Sequence, residues 1–183
     1  MPVYDAATGK LQLLKYDSNK NGRIDTWSYM DGTRVLRIEA DTDEDGRLDR
    51  WEYYDAGKKL EKTGASRAND GKEDAWSYLG PDGSISRIDV DTRRDGRVTR
   101  SEYYEHDALM RAEEDVDANG TVDKWETYER GRLAVVAFDT VGRGTADRRI
   151  IYGADGAARF EVDQSGTGAF AAPVAPPPRP ARR

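Results

Sequence analysis

The chain has no cysteine and a single histidine, His106. Disulfides and thiolate metal sites are excluded, and zinc or haem centres lose their usual ligands. Phenylalanine and methionine number only three each, and hydrophobic residues make up 37% of the chain. With a mean hydropathy of -0.89, a large globular core cannot be built. No apolar run approaches the roughly 20 residues of a membrane-spanning helix. A net charge of -6 and a pI near 5.0, with no basic stripe, argue against nucleic acid. Proline is scarce outside the end of the chain, where Pro173, Pro176, Pro177, Pro178 and Pro180 crowd together. No charged, apolar and small-residue leader opens this sequence, which leaves two expectations: that it starts inside a longer protein, or that export uses another route.

What is present is repetition. Gly22, Gly46, Gly71, Gly96, Gly120, Gly144 and Gly168 recur at intervals of 24 or 25 residues. A second turn series runs between them: Gly9, Gly32, Gly57, Gly83, Gly131 and Gly156, with Asp107 in the remaining place. About seven copies of one unit are implied, each with two turns and two connecting segments. After each glycine of the first series comes a segment of alternating character, such as Ile24-Asp25-Thr26-Trp27-Ser28-Tyr29 or Val122-Asp123-Lys124-Trp125-Glu126-Thr127-Tyr128. Aromatic and β-branched residues at period two predict strands. The return segments carry apolar residues at alternate places, as in Leu36, Ile38 and Ala40, or Ala134, Val136 and Phe138. In the first unit Leu14 and Tyr16 do so, with polar Gln12 outermost.

The expected fold is therefore all-β: an elongated tandem of β-hairpins over residues 1–168, a meander or solenoid-like ladder. Two strands per unit would advance it by about 9.5 Å. Such arrays bury surface only against neighbouring units and need no central core. Disorder is the plain alternative for a chain that is 35% charged, but four Trp and ten Tyr, mostly in register, oppose it. Residues 169–183 read as a disordered Pro- and Arg-rich tail.

Seven loops recur, one at each glycine of the first series, and the first six each lead into an outgoing strand segment. The clearest is Asp41-Thr42-Asp43-Glu44-Asp45-Gly46-Arg47-Leu48-Asp49. Oxygen ligands at loop positions one, three and five, a backbone carbonyl at seven and a further oxygen at nine suit a hard cation such as calcium. Loop two supplies Asp41, Asp43, Asp45, the carbonyl of Arg47, and Asp49. Loop five supplies Asp115, Asp117, Asn119, the carbonyl of Thr121, and Asp123. Loop one supplies Asp17, Asn19, Asn21, the carbonyl of Arg23, and Asp25, with only two formal charges and hence lower expected affinity. The other loops have decayed: loop four places Arg93 at position three, loop three has Ser66 and Ala68, loop six has Val141 and Arg143, and loop seven keeps only Asp163. Asp and Gly also favour plain turns, so any single loop could be no more than that; the full set in loop two is harder to reach by turn chemistry alone.

These loops resemble the EF-hand calcium loop. With strands in place of helices, they resemble the calcium loops of integrin-type β-propellers and of bacterial calcium-binding repeat proteins. The hairpins, for example Trp51-Glu52-Tyr53-Tyr54-Asp55-Ala56-Gly57-Lys58-Lys59-Leu60, are similar to MORN-type and cell-wall-binding repeats. An EF-hand would place a bidentate glutamate at position twelve, where Glu52, Glu102 and Glu126 stand. In a strand, positions nine and twelve point to opposite faces, so these glutamates are left out of the expected ligand set.

The aromatic ladder Trp27, Trp51, Trp76 and Trp125 could bind glycan or protein, or could pack on its own neighbours. No constellation supports catalysis: no nucleophile motif, no phosphate-binding glycine loop, and no recognisable partner for His106. Three Met and three Phe do not furnish the apolar groove of a cytosolic calcium sensor. The expectation is a non-enzymatic, calcium-stabilised repeat module, a bacterial secreted or surface spacer or adhesive scaffold. Its rival is a metal-independent hairpin scaffold that binds protein or glycan through the aromatic face.

Overall fold

A computed structural model describes residues 1–170. The expected disordered tail, 169–183, therefore lies outside the described residues apart from its first two. The described chain is all-β, in fourteen strands. They are β1 (Pro2–Tyr4), β2 (Leu11–Tyr16), β3 (Thr26–Asp31), β4 (Arg34–Ala40), β5 (Arg50–Tyr54), β6 (Leu60–Ala65) and β7 (Ala75–Leu79). There follow β8 (Ile85–Val90), β9 (Arg100–Glu105), β10 (Ala108–Glu114), β11 (Lys124–Glu129), β12 (Arg132–Phe138), β13 (Arg148–Tyr152) and β14 (Ala158–Val162).

All fourteen form one antiparallel sheet in sequence order. Each pairs its backbone only with the strand before it and the strand after it. The sheet is thus an open, single-layer meander, not a closed solenoid. Tight turns line one edge and the seven acidic loops line the other.

Period-two alternation sets the two faces. On one lie the four Trp with Tyr29, Tyr53, Tyr78 and Tyr103 of the outgoing strands, facing charged residues of the return strands: Trp27 with Glu39 and Tyr29 with Arg37, Trp76 with Asp89 and Tyr78 with Arg87, Tyr103 with Arg111. Cations stack on the rings, at 4.3 Å for Arg37 over Tyr29, 4.1 Å for Lys62 over Tyr53, 4.0 Å for Arg87 over Tyr78 and 3.5 Å for Arg111 over Tyr103. At about 0.5 to 1 kcal/mol each, four such pairs contribute roughly 2 to 4 kcal/mol. The other face carries Ile38, Ala40, Ile88, Val90, Ala112 and Val136 with a charged cluster around Arg100.

The return strands depart from strict alternation. In six of the seven hairpins the register shifts by one residue, leaving Gln12, Leu36, Glu61, Ser86, Met110 and Ala134 as the extra residues of bulges. The expectation that Leu36 and Ala134 continue the apolar face beyond Ile38 and Val136 is corrected here: Leu36 is 39% exposed. Alternation read from sequence assumes that each residue has one partner, and a bulge sets two against one.

Burial is unusual in kind. Among the described residues, Trp51, Ala112 and Val136 are the buried apolar ones, whereas thirteen polar residues are buried. Nine of these stand at loop positions one or nine: Asp25, Asp41, Ser66, Asp74, Asp91, Thr99, Asp139, Asp147 and Asp163. The backbone joins them into a continuous rim. Position one of each loop donates its N–H to the position-nine carbonyl of the loop before, as Asp41 does to Asp25 at 2.9 Å, Ser66 to Asp49 at 3.0 Å and Asp91 to Asp74 at 2.9 Å. This rim positions the candidate sites.

Candidate metal centres

Six of the seven loops fold around an aspartate at position one; loop three has Ser66 there. Asp41 Oδ2 accepts the N–H of Gly46 at 2.9 Å, and Asp115 Oδ2 accepts that of Gly120 at 2.7 Å. Gly46 sits at φ 93°, a conformation that glycine adopts without steric cost. Position five turns inward in the same way, with Asp45 Oδ1 accepting from Arg47 N at 2.8 Å and Asn119 Oδ1 from Thr121 N at 2.8 Å. Position nine closes the loop, Asp49 Oδ2 accepting from Thr42 N at 2.8 Å and from Thr42 Oγ1 at 2.7 Å. The side chains that would face a cation are thereby pulled toward one centre by backbone donors.

Two groups of three carboxylates gather within the described residues. Asp41, Asp43 and Asp49 form one and Asp115, Asp117 and Asp123 the other, each with oxygens within 4.8 Å of one another. Asp45 stands outside the first group, and Asn119 donates its amide to Asp117 Oδ2 at 3.0 Å. Loop one gathers no such group. Asp17 caps Gly22 N at 2.6 Å, both oxygens of Asp25 are taken by Ser18 and Thr26, and the amides of Asn19 and Asn21 both turn to Glu44. The Thr26 hydroxyl, with the N–H and hydroxyl of Ser18, holds the Asp25 carboxyl below the usual carboxylate range against the opposing effect of burial.

One atom separates loop two from the rest. Asp41 is 7% exposed, and its Oδ1 is buried with no hydrogen-bond partner. At the same position in loop four, Asp91 Oδ1 accepts from the N–H groups of Arg93 and Arg94, and in loop six Asp139 Oδ1 accepts from those of Val141 and Gly142. Backbone donors thus satisfy both oxygens of Asp91 and Asp139, as they also do for Asp115 in loop five. A buried carboxylate oxygen without a donor costs free energy, and a cation at the centre of the Asp41, Asp43 and Asp49 group would relieve it.

The glutamates at position twelve go elsewhere. Glu52 meets Arg50 at 2.7 Å and the hydroxyl of Tyr54 at 2.6 Å, on the face away from the aromatic ladder. Glu102 and Glu126 likewise take the hydroxyls of Tyr104 and Tyr128, and both pair with Arg100 at 2.9 and 2.8 Å.

Sequence reasoning overlooked loop position four. All seven residues there, Lys20, Glu44, Asn69, Arg94, Ala118, Gly142 and Gly166, have positive φ. In loops two and three this turn carries the side chain to the preceding loop. Glu44 reaches Asn19 and Asn21 of loop one, and Asn69 reaches Asp43 and Asp45 of loop two. A non-glycine residue held in that conformation was the available signal, but it is a property of the backbone and not of the spelling.

No family model matches the chain, and no curated protein matches it. Among solved structures it is similar to a chain of a crystal structure of a GtfA/B complex bound to UDP and GlcNAc, at 13% identity and a TM-score of 0.42. The match covers 56% of this chain and 22% of that one, and a likeness of this size carries no argument about function.

Proposed function

We propose that the chain is a non-enzymatic repeat protein in which loops two and five hold calcium as a structural ion, with loop one a weaker site. The buried, unpartnered Oδ1 of Asp41 beside Asp43 and Asp49 is the observation that carries this reading. An all-oxygen set that mixes carboxylates with backbone carbonyls favours a hard cation. Magnesium demands near-ideal octahedral geometry and keeps its waters, whereas calcium tolerates an irregular loop. A dissociation constant of about 10⁻⁴ M, that of extracellular modules, would suit a secreted or surface protein acting as a spacer or adhesive scaffold.

The second reading makes the aromatic face a glycan or protein platform that needs no metal. Trp51 is 6% exposed, and Arg37, Lys62, Arg87 and Arg111 cover the tyrosines. This arrangement favours packing over ligand binding. A thermal melt by circular dichroism in millimolar calcium, magnesium or EDTA tests the first reading. A midpoint raised by calcium and not by magnesium supports it; one unmoved by EDTA refutes it. Tryptophan fluorescence titrated with a polysaccharide panel tests the second, and an unchanged spectrum removes it.

A further inference from the structure

We infer that the loop-two site is not closed by its own loop: Asn69, on loop three, supplies a ligand oxygen across the gap. The inference rests on the calcium reading of loop two.

The two loops are clamped together in both directions. Arg47 Nη1 donates to the backbone carbonyl of Asn69 at 2.9 Å, while Asn69 Nδ2 donates to Asp43 Oδ2 and Asp45 Oδ2, each at 3.0 Å. The amide NH₂ thus lies between two carboxylates of the acidic loop, where positive charge is wanted. Asn69 Oδ1 is buried with no partner, as is Asp41 Oδ1 in the same site. The two ends of a carboxamide have the same shape, and which of them faces inward follows from the surrounding hydrogen bonds.

With a divalent cation among Asp41, Asp43 and Asp49, an NH₂ directed at the site is repelled and an oxygen is attracted. Half a turn of the amide exchanges them, and the oxygen gives up no hydrogen bond in moving. Loop three is a poor site on its own account, with Ser66 and Ala68 at positions one and three. Its use lies in completing its neighbour. Asn69 stands at φ 52°, and asparagine is among the few residues with a side chain that adopt this region readily.

The test uses the full chain carrying Asp117→Ala to silence loop five, with Asp43→Ala added as the control that removes the loop-two signal. Terbium luminescence lifetimes in H₂O and D₂O count the waters on the bound ion, and calcium titration gives the affinity. Asn69→Gly keeps the left-handed turn without strain. It is expected to add one bound water and to weaken calcium about tenfold. Asn69→Asp restores an oxygen and should return the water count to that of the unsubstituted residue. An unchanged count and affinity in Asn69→Gly overturn the cross-loop ligand while leaving the calcium reading intact. A parent chain that binds neither ion overturns both.

Discussion

The Glu73 carboxylate occupies the space that Gly64 leaves empty: a side chain on the glycine would collide with it. Gly64 pairs with Trp51 and Trp76, a place that Glu39 fills two strands earlier and Asp89 two strands later. Glu39 accepts the hydroxyl of Tyr29 at 2.8 Å; in the third unit Glu73 reaches over from loop three and accepts that of Tyr53 at 2.8 Å. A loop residue has replaced a missing strand residue.

Gly64→Ala should therefore displace Glu73, strip Tyr53 of its acceptor and cost roughly 1 to 3 kcal/mol in urea denaturation. In a Tyr53→Phe background the cost should shrink, since the displaced bond no longer exists; equal costs in both backgrounds would refute the link. Burial, followed by the bond to Glu73, pushes the Tyr53 phenol well above its ordinary range. Spectrophotometric titration should show one tyrosine moving down in Glu73→Gln.

Asp43 and Asp41 should separate when calcium is varied. The Asp43 carboxylate accepts from Asp45 N and the Asn69 amide, and its backbone N–H bond to Asp49 survives substitution, so Asp43→Ala should leave the EDTA melt almost unchanged and abolish loop two's share of the calcium response. Asp41 also holds Gly46 N, so Asp41→Ala should lower both melts. At a dissociation constant near 10⁻⁴ M, millimolar calcium adds about 1.4 kcal/mol per site, or roughly 3 to 6 °C in midpoint for a chain of this length.

Acid should unfold the calcium-free protein through the rim. The Ser165 hydroxyl, followed by backbone N–H groups, lowers the Asp163 carboxyl; at Asp139, burial pushes upward but the N–H groups of Gly144, Val141, Gly142 and Arg143 outweigh it. Asp25 is lowered as well. Each contributes stability that is fully present above the unfolded aspartate value of about 3.9 and is lost as pH falls through the lower folded value. Urea midpoints in EDTA should hold above pH 5 and fall below pH 4, with a shallower fall in Asp25→Asn. A flat profile to pH 2 would rule the rim out as a source of acid lability.

Arg100 meets Glu102, Glu114 and Glu126, and Lys124 meets two of the three. Arg100→Met should destabilise by roughly 1 to 3 kcal/mol, because partly buried carboxylates lose their shared cation. Adding Glu126→Gln should recover part of that loss. Additive losses in the double variant would mean that the cluster is not coupled.

The repeat, the strands and the grouping of the acidic side chains were legible because they depend on period. Trp27, Trp51, Trp76 and Trp125 share one face, and Glu52 lies on the other, as alternation requires. Three things were not legible. The bulge residues, such as Leu36, look like ordinary members of an alternating run. Burial of Asp91 and Asp139 runs against residue type, and only the folded rim shows the backbone donors that make it tolerable. Side chains also cross between units: Glu44 and Asn69 lie outside the nine-residue loops they reach, and Glu73 lies a loop away from the Tyr53 hydroxyl it serves.

A sheet whose described strands pair only with their sequence neighbours, and whose Arg100 reaches one strand further to Glu126, has no strand pairing between distant units to lock it. Pulled from its ends, it can surrender one hairpin at a time, each release lengthening the chain while the remainder stays folded. Under load the molecule would yield in steps, as a shock absorber does, and cations at the second and fifth loops would set which steps come last.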